Sequence, residues 1–317
     1  MEDNNKDVKS VITQILGYES GFAIDIFACV KSQDGVINVS KFKTKASFKN
    51  KLKWLIADVA KKQILCDEVL LKSIDEADNF KNVLYTLNNS ADYTKLKFFD
   101  EIDKSYSEMN VYQNSEIDNL MGFLFVIKNS DLQVVFYQHI YPMALSKKAK
   151  GLRASFAGNM FGEFNEDIIK FDERIDFIKC NDMFYIKNYA LLERSFGYDV
   201  IIKSKANKTC EKIKQANIVS DSNKLTTYSD KSLSNARKLM RLADSPVLIM
   251  DKEKLFKKIA RHKQYKGIIK FQGESGNRQI ILNEAESVKN FILMLNDTFL
   301  ISELTGTEYN SEFKEKV

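Results

Sequence analysis

The chain has 317 residues, with 48 Lys and Arg, 43 Asp and Glu, two His, a formal net charge of +5 and 44% hydrophobic residues. That composition fits a folded globular protein with one large or two medium cores, and excludes a disordered or collagen-like chain. Two His leave little for His-based metal sites or triads, and four Cys without close pairs give no disulfide or zinc framework.

A reduced intracellular protein is expected from the cysteine usage. The longest apolar run, Met121–Ile127, falls far short of the roughly 20 residues that cross a bilayer, and the polar start MEDNNKDVKS does not read as a targeting peptide. Charge is unevenly placed. Residues 1–100 carry net +1, 101–200 net −4 and 271–317 net −4, while 201–270 hold 18 basic and 6 acidic groups, net +12. Like charges held together oppose folding unless a polyanion offsets them, so this block is the strongest physical signal in the chain.

In chain order, Gly21–Lys31 alternates and is rich in Ile, Phe and Val, which predicts a strand. Ala46–Leu65 places Phe48, Leu52, Leu55, Ile56 and Val59 at helical spacing, with Lys49, Lys51, Lys53, Lys61 and Lys62 outside. Residues 66–115 show no clear period. Gly122–Lys128 and Leu132–Ile140 are apolar on both faces and separated by Asn129, Ser130 and Asp131, the pattern of a hairpin of central strands. Ser146–Asp167, with Lys147, Lys148, Lys150, Arg153 and the loop-like Gly158–Asn165, is the candidate boundary. A second hairpin is expected from Ile175–Cys180 and Met183–Lys187, then a helix over Asn188–Phe196 stopped at Gly197.

The basic block reads as helical. Lys231–Ala243 sets Leu233, Ala236, Met240 and Ala243 on one stripe, and Ser234, Arg237, Lys238 and Arg241 on another. Asp251–Lys263 repeats the arrangement, with Leu255, Phe256, Ile259 and Ala260 inward and Lys254, Lys257, Lys258 and Arg261 outward. Lys203, Lys205, Lys208, Lys212 and Lys214 precede them. A third hairpin is expected from Gly267–Phe271 and Arg278–Leu282, then a helix at Ala285–Leu295 and a strand at Thr298–Leu304. Hairpins interleaved with helices predict an α+β fold with mixed, largely antiparallel sheets and packed amphipathic helices. Two units are expected, residues 1–150 and 165–317, the second holding the basic helical block 201–270.

Phosphate-cradling and nucleophile-elbow motifs are absent. Gly273 to Gly276 reads as a hairpin turn and His139 as a packed strand histidine; His262 ends a basic helix. The carboxylates Asp172, Glu173 and Asp176 with Lys179 are the one nuclease-like cluster. On a strand, however, Asp172 and Asp176 would share one face, with Glu173 and Lys179 on the other.

The ending Phe291–Val317 resembles the KwaB family of the bacterial Kiwa antiphage defence system. The resemblance rests on Leu295-Asn-Asp, then Leu300-Ile-Ser-Glu-Leu-Thr-Gly306, Tyr309 and a late Lys. Ile168–Phe196 and the opening strand AIDIFACVKS are similar in kind. The resemblance implies a cytoplasmic, dimeric DNA-binding protein working with the integral membrane protein KwaA at the inner face of the cell membrane. It carries over no catalytic residues.

The expectation is a non-enzymatic effector binding duplex DNA with little sequence preference. Its phosphate contacts would be Lys203, Lys205, Lys208, Lys212, Arg237, Lys238, Arg241, Lys254, Lys257, Lys258 and Arg261. No cofactor or metal is expected. The alternatives are a metal-dependent nuclease acting on phage DNA, and a scaffold whose basic face meets an acidic partner or anionic lipid.

Overall fold

The computed structural model describes residues 8–17, 21–77, 82–88, 93–103, 109–129, 131–142, 145–146, 154–157, 160–163, 168–296, 299–301 and 308–310. By backbone proximity the chain forms two units, residues 1–196 and 197–317.

The first unit is built on an eight-stranded sheet. Helix α1 (Val8–Leu16) buries Val8, Val11, Ile12 and Ile15, the i, i+3, i+4, i+7 set of an amphipathic helix. Strands β1 (Ala23–Lys31) and β2 (Ile37–Lys41) form a hairpin, and α2 (Ala46–Gln63) follows. The stretch without a clear period holds β3 (Leu70–Ser73) and β4 (Val83–Asn88). The central hairpin is β5 (Leu120–Lys128) and β6 (Gln133–His139), turned by Asn129, whose Oδ1 accepts the N–H groups of Asp131 and Leu132.

Four short strands come next: β7 (Leu145–Ser146), β8 (Ala154–Ala157), β9 (Met160–Glu163) and β10 (Ile168–Ile169). Then β11 (Phe177–Cys180) and β12 (Met183–Ile186) turn at Asn181, whose φ is +54°, and α3 (Tyr189–Phe196) closes the unit at Gly197, φ +71°.

The sheet order is β2-β1-β5-β6-β11-β12-β4-β3, antiparallel except for the β3–β4 pair. The expected division at 150–165 runs through this unit, because β11 pairs with β6, Phe177 opposite Tyr137, and β12 with β4. Cutting there would strip two interior strands from the sheet; the backbone division falls instead at Phe196. Much of Gly158–Asn165, and all of Lys147, Lys148, Lys150 and Arg153, lie outside the described residues.

Each sheet face is covered, which is why β5 and β6 are apolar throughout. Phe123, Phe125 and Phe136 on one face share a core with Val8 and Ile12 of α1 and Leu52 and Ile56 of α2. On the other, Tyr137 and Phe177 stack at 5.4 Å and meet Phe196 of α3, with Phe98 and Phe99 packed alongside. Gly122 is required by packing: a Cβ there would lie 2.5 Å from the Gln138 carbonyl and 2.6 Å from the Tyr137 ring.

The second unit is mostly helical. It contains α4 (Tyr198–Ala216), α5 (Asn223–Asp230), α6 (Leu233–Met240), α7 (Lys252–Arg261), α8 (Lys263–Ile268) and α9 (Ala285–Leu295). Two small hairpins accompany them, β13 (Phe271–Gln272) with β14 (Gln279–Ile280), and β15 (Phe299–Ile301) with β16 (Glu308–Asn310). The third expected hairpin is shorter than its sequence pattern, because Gly267 lies inside α8. Helix α4 buries Ile202, Ala206, Cys210 and Ile213 and packs on α5 and α6. Most of the resemblance motif Leu300–Gly306, including Glu303, lies outside the described residues. Among the described residues, no helix is long and apolar enough to cross a membrane.

Candidate nucleic-acid interface

Helix α7 is fixed from three sides. The Asp251 side chain caps it by accepting the Lys254 N–H at 2.9 Å, and Leu255, Phe256 and Ile259 are buried. Phe256 meets Phe271 edge-on at 5.5 Å. Glu253 accepts the Gly276 N–H at 2.5 Å and the Ser275 hydroxyl at 3.2 Å. The Gly276 N–H is the main cause holding the Glu253 carboxyl below its ordinary range. The segment Gly273–Gly276 is thus the turn between β13 and β14, with both glycines at positive φ, +88° and +90°.

With α7 so oriented, Lys254, Lys257, Lys258 and Arg261 are all exposed on the face opposite the buried stripe. None of the four is in an ion pair among the described residues. They span eight residues, about 10 Å of helix. Lys258 and Arg261 also lie in the last turn, where the helix dipole favours cations. Ala260, expected inward, is exposed, since it turns about 100° away from Ile259.

The other proposed contacts divide. On α6, Lys238 and Ser234 are exposed, Arg237 is half-buried, and Arg241 falls in the 3-10 turn Arg241–Asp244 after the helix. Leu239, not Leu233, completes the buried stripe with Ala236 and Met240. On α4 the lysines do not share one line. At 100° per residue, Lys205, Lys208 and Lys212 border one edge of the buried stripe and Lys203 and Lys214 the other. Lys203 pairs with Asp199 at 3.6 Å, and Lys212 donates to the Ala243 carbonyl at 3.0 Å, close to Asp244. Lys205 is half-buried and Lys208 exposed. Among the expected phosphate contacts, the four cations of α7 are therefore the densest set.

The nuclease-like carboxylates do not converge. Asp176 is 1% exposed; it accepts the His139 N–H at 2.8 Å and the Asn188 amide at 2.7 Å, and pairs with Arg174 at 3.3 Å. Arg174 also lies 3.5 Å from Asp172 and donates to the His139 carbonyl. A guanidinium thus stands between the two aspartates where a metal would need open oxygen ligands. Lys179 pairs with Asp100 at 2.6 Å. No group of three or more His, Cys, Asp or Glu that could hold a metal ion occurs among the described residues.

His139 is packed, as expected of a strand histidine. Its Nδ1 meets the Tyr137 hydroxyl at 3.1 Å, and burial holds its pKa below the ordinary value, opposed by Asp176 and aided by Arg174. His262 serves as the N-cap of α8 and lies against Tyr265.

Sequence reasoning passed over one cationic surface. Residues 41–62 hold eight Lys and one acidic residue, a density hidden by the near-neutral total over 1–100. Trp54, the chain's one tryptophan, is 69% exposed in their midst.

The fold and these surfaces define an α+β protein with exposed cationic helix faces. A family model described as Kiwa protein KwaB-like matches residues 117–305. Kiwa protein KwaB of Escherichia coli O55:H7 (strain RM12579 / EPEC) is 24% identical over 274 residues, covering 82% of this chain and 84% of that protein. No solved structure matches significantly. The chain belongs to the KwaB-like family of Kiwa proteins, and so to a component of the Kiwa antiphage defence system.

Proposed function

We propose that the protein binds duplex DNA through the outer face of α7, assisted by Lys208, Lys238 and Arg241, as an effector of a membrane-associated Kiwa complex. The observation that carries this reading is the α7 stripe: four exposed cations, none in an ion pair among the described residues, on a helix locked by its cap, Phe256 and Glu253. Lysine and arginine at this spacing neutralise phosphates and release counterions, with no donor–acceptor pattern aimed at base edges. Weak sequence preference follows.

Arg237, Lys203, Lys205 and Lys212 rank lower, being half-buried or engaged within the protein. In this reading a homodimer presents two such faces, and the integral membrane protein KwaA supplies the membrane attachment. No catalytic residue is assigned. The rival nuclease reading has its charges in separate ion pairs, Asp172 and Asp176 with Arg174 and Lys179 with Asp100.

Incubating the purified protein with phage DNA and Mg²⁺ or Mn²⁺ tests the reading. Retarded, intact DNA is expected; metal-dependent fragments would replace it with the nuclease, and no retardation at physiological salt would favour a scaffold.

A further inference from the structure

We infer that the outer edge of β3 is a docking site for an extended segment of a partner protein, added to the sheet as a further strand. That segment carries apolar side chains in its middle and lysine or arginine at both ends. Strand β3 ends the eight-stranded sheet. Leu70 donates its N–H to the Asn82 carbonyl at 2.9 Å, so Leu70 and Lys72 face β4, and the N–H and C=O of Leu71 and Ser73 face away from it. No hydrogen bond reaches those outward groups among the described residues. The opposite edge is partly covered: Lys41 of β2 donates to the Asn110 carbonyl at 2.8 Å and accepts the Tyr112 N–H at 2.9 Å.

The side chains of β3 are open on both faces. Leu71 lies beside Leu84 on the face that α1 and α2 cover, and Leu70 beside Val83 on the other. Val83 and Leu84 are buried, yet Leu70 is 55% exposed and Leu71 41%. Cover thus falls away at β3 on both sides of the sheet, and an added strand would bury a leucine on each. Main-chain pairing of this kind supplies affinity, and the flanking side chains supply specificity.

The charge of the segment follows from what brackets the strand. Residues 67–76 hold Asp67, Glu68, Asp75 and Glu76 against Lys72 alone. Asp67 and Glu68 precede β3, and Asp75 and Glu76 lie in the 3-10 turn that ends it. Asp67, Glu68 and Glu76 are exposed and in no ion pair among the described residues. A second copy is matched poorly, because two-fold pairing of β3 with itself is antiparallel. It would bring Asp67 and Glu68 of one copy to the Asp75 and Glu76 end of the other, and like charges across strands destabilise a pair. Nucleic acid and anionic lipid are repelled by the same carboxylates. A strand with basic ends meets an acidic pair at each end and leucine between them. The site lies in the first unit, goes beyond the DNA-binding reading and does not depend on α7.

The test uses full-length protein at physiological salt and two labelled peptides. Each has an alternating Val-Thr centre; one is flanked by two lysines at each end, the other by two glutamates. Binding is followed by anisotropy, and the bound edge by amide hydrogen exchange. The lysine-flanked peptide should bind saturably, about 10-fold more tightly than its counterpart, and slow exchange over residues 69–74. Leu71→Pro removes an outward N–H and leaves the bonds to β4 in place, so it should weaken binding about 10-fold with little change in thermal unfolding. An Asp67→Lys, Glu76→Lys variant should reverse the preference between the peptides, which decides the matter even where Leu71→Pro unfolds the protein. No saturable binding, equal binding of both peptides, a preference unchanged in the charge variant, or protection away from residues 69–74 would each overturn the inference. So would a dimer that Leu71→Pro dissolves, which would give the edge to a second copy.

Discussion

Asp176 is the residue whose loss the structure makes most expensive. Its carboxylate is 1% exposed and accepts from the His139 N–H, the Asn188 amide and the Arg174 guanidinium, joining the end of β6 to the start of α3. Its backbone pairs as well, with Tyr137 on one side and Lys187 and Asn188 on the other. Asp176→Ala leaves the main-chain bonds but takes from the Arg174 guanidinium, whose side chain is only 22% exposed, its closer carboxylate, leaving it Asp172 at 3.5 Å, and removes an acceptor from the part-buried His139 N–H and Asn188 amide.

Breaking a buried pair from one side costs about 3–5 kcal/mol, a large share of a domain's roughly 5–15 kcal/mol. For a unit of this size that corresponds to a fall in Tm of roughly 6–20 °C. Asp176→Asn keeps the shape and one acceptor and should cost less, about 1–3 kcal/mol. Adding Arg174→Met to Asp176→Ala should recover part of the loss, with a coupling of about 0.5–3 kcal/mol. Urea unfolding followed by circular dichroism is the assay, since Trp54 is too exposed to report on the core. A cost below about 1 kcal/mol for Asp176→Ala would refute the assignment of this network as the staple between β6 and α3.

Other outcomes follow from the same structure. Gly122→Ala sets a methyl against the Gln138 carbonyl and the Tyr137 ring, and should destabilise by about 1–3 kcal/mol, with thermal unfolding as the check. Burial holds the His139 pKa below 6.5, so its contribution to stability is complete above about pH 6.5 and is lost as the pH falls through the folded value; His139→Gln should flatten the stability profile in that window. Produced alone, the protein should fractionate away from membranes, and with KwaA it should pellet with them; membrane association without KwaA would contradict recruitment by a partner.

Much of the fold was legible because local pattern and tertiary role agree. The continuous apolar runs of β5 and β6 announced interior strands, and they are the third and fourth of eight. The stripe of α7 was readable because Leu255 and Ile259 set its phase. What escaped had no local signature. The partner of Phe177 is Tyr137, so the hairpin β11–β12 looked self-contained until the sheet showed it bound to β6 and β4. Strand β3 exposes both Leu70 and Leu71 and therefore shows no alternation. On α4 the lysines were counted together, but Lys203 and Lys212 reach different partners, Asp199 and Ala243. The lysine density of residues 41–62 was hidden by averaging charge over a window that also contained Asp67, Glu68, Asp75 and Glu76.

The central claim is that the cations of α7 lie on DNA phosphates, and salt dependence tests it most directly. Affinity for a short duplex is measured from low to physiological salt and beyond for the wild type and for the Lys254→Gln, Lys257→Gln, Lys258→Gln, Arg261→Gln variant. Removing four exposed charges should leave the fold intact, with a cost of about 1–2 kcal/mol, mainly from lost dipole interactions at Lys258 and Arg261. If all four contact phosphates, the slope of log K against log salt should fall by about 3.6, equally for unrelated sequences. A folded variant that binds the duplex with the wild-type slope would contradict the account and place the duplex site away from α7.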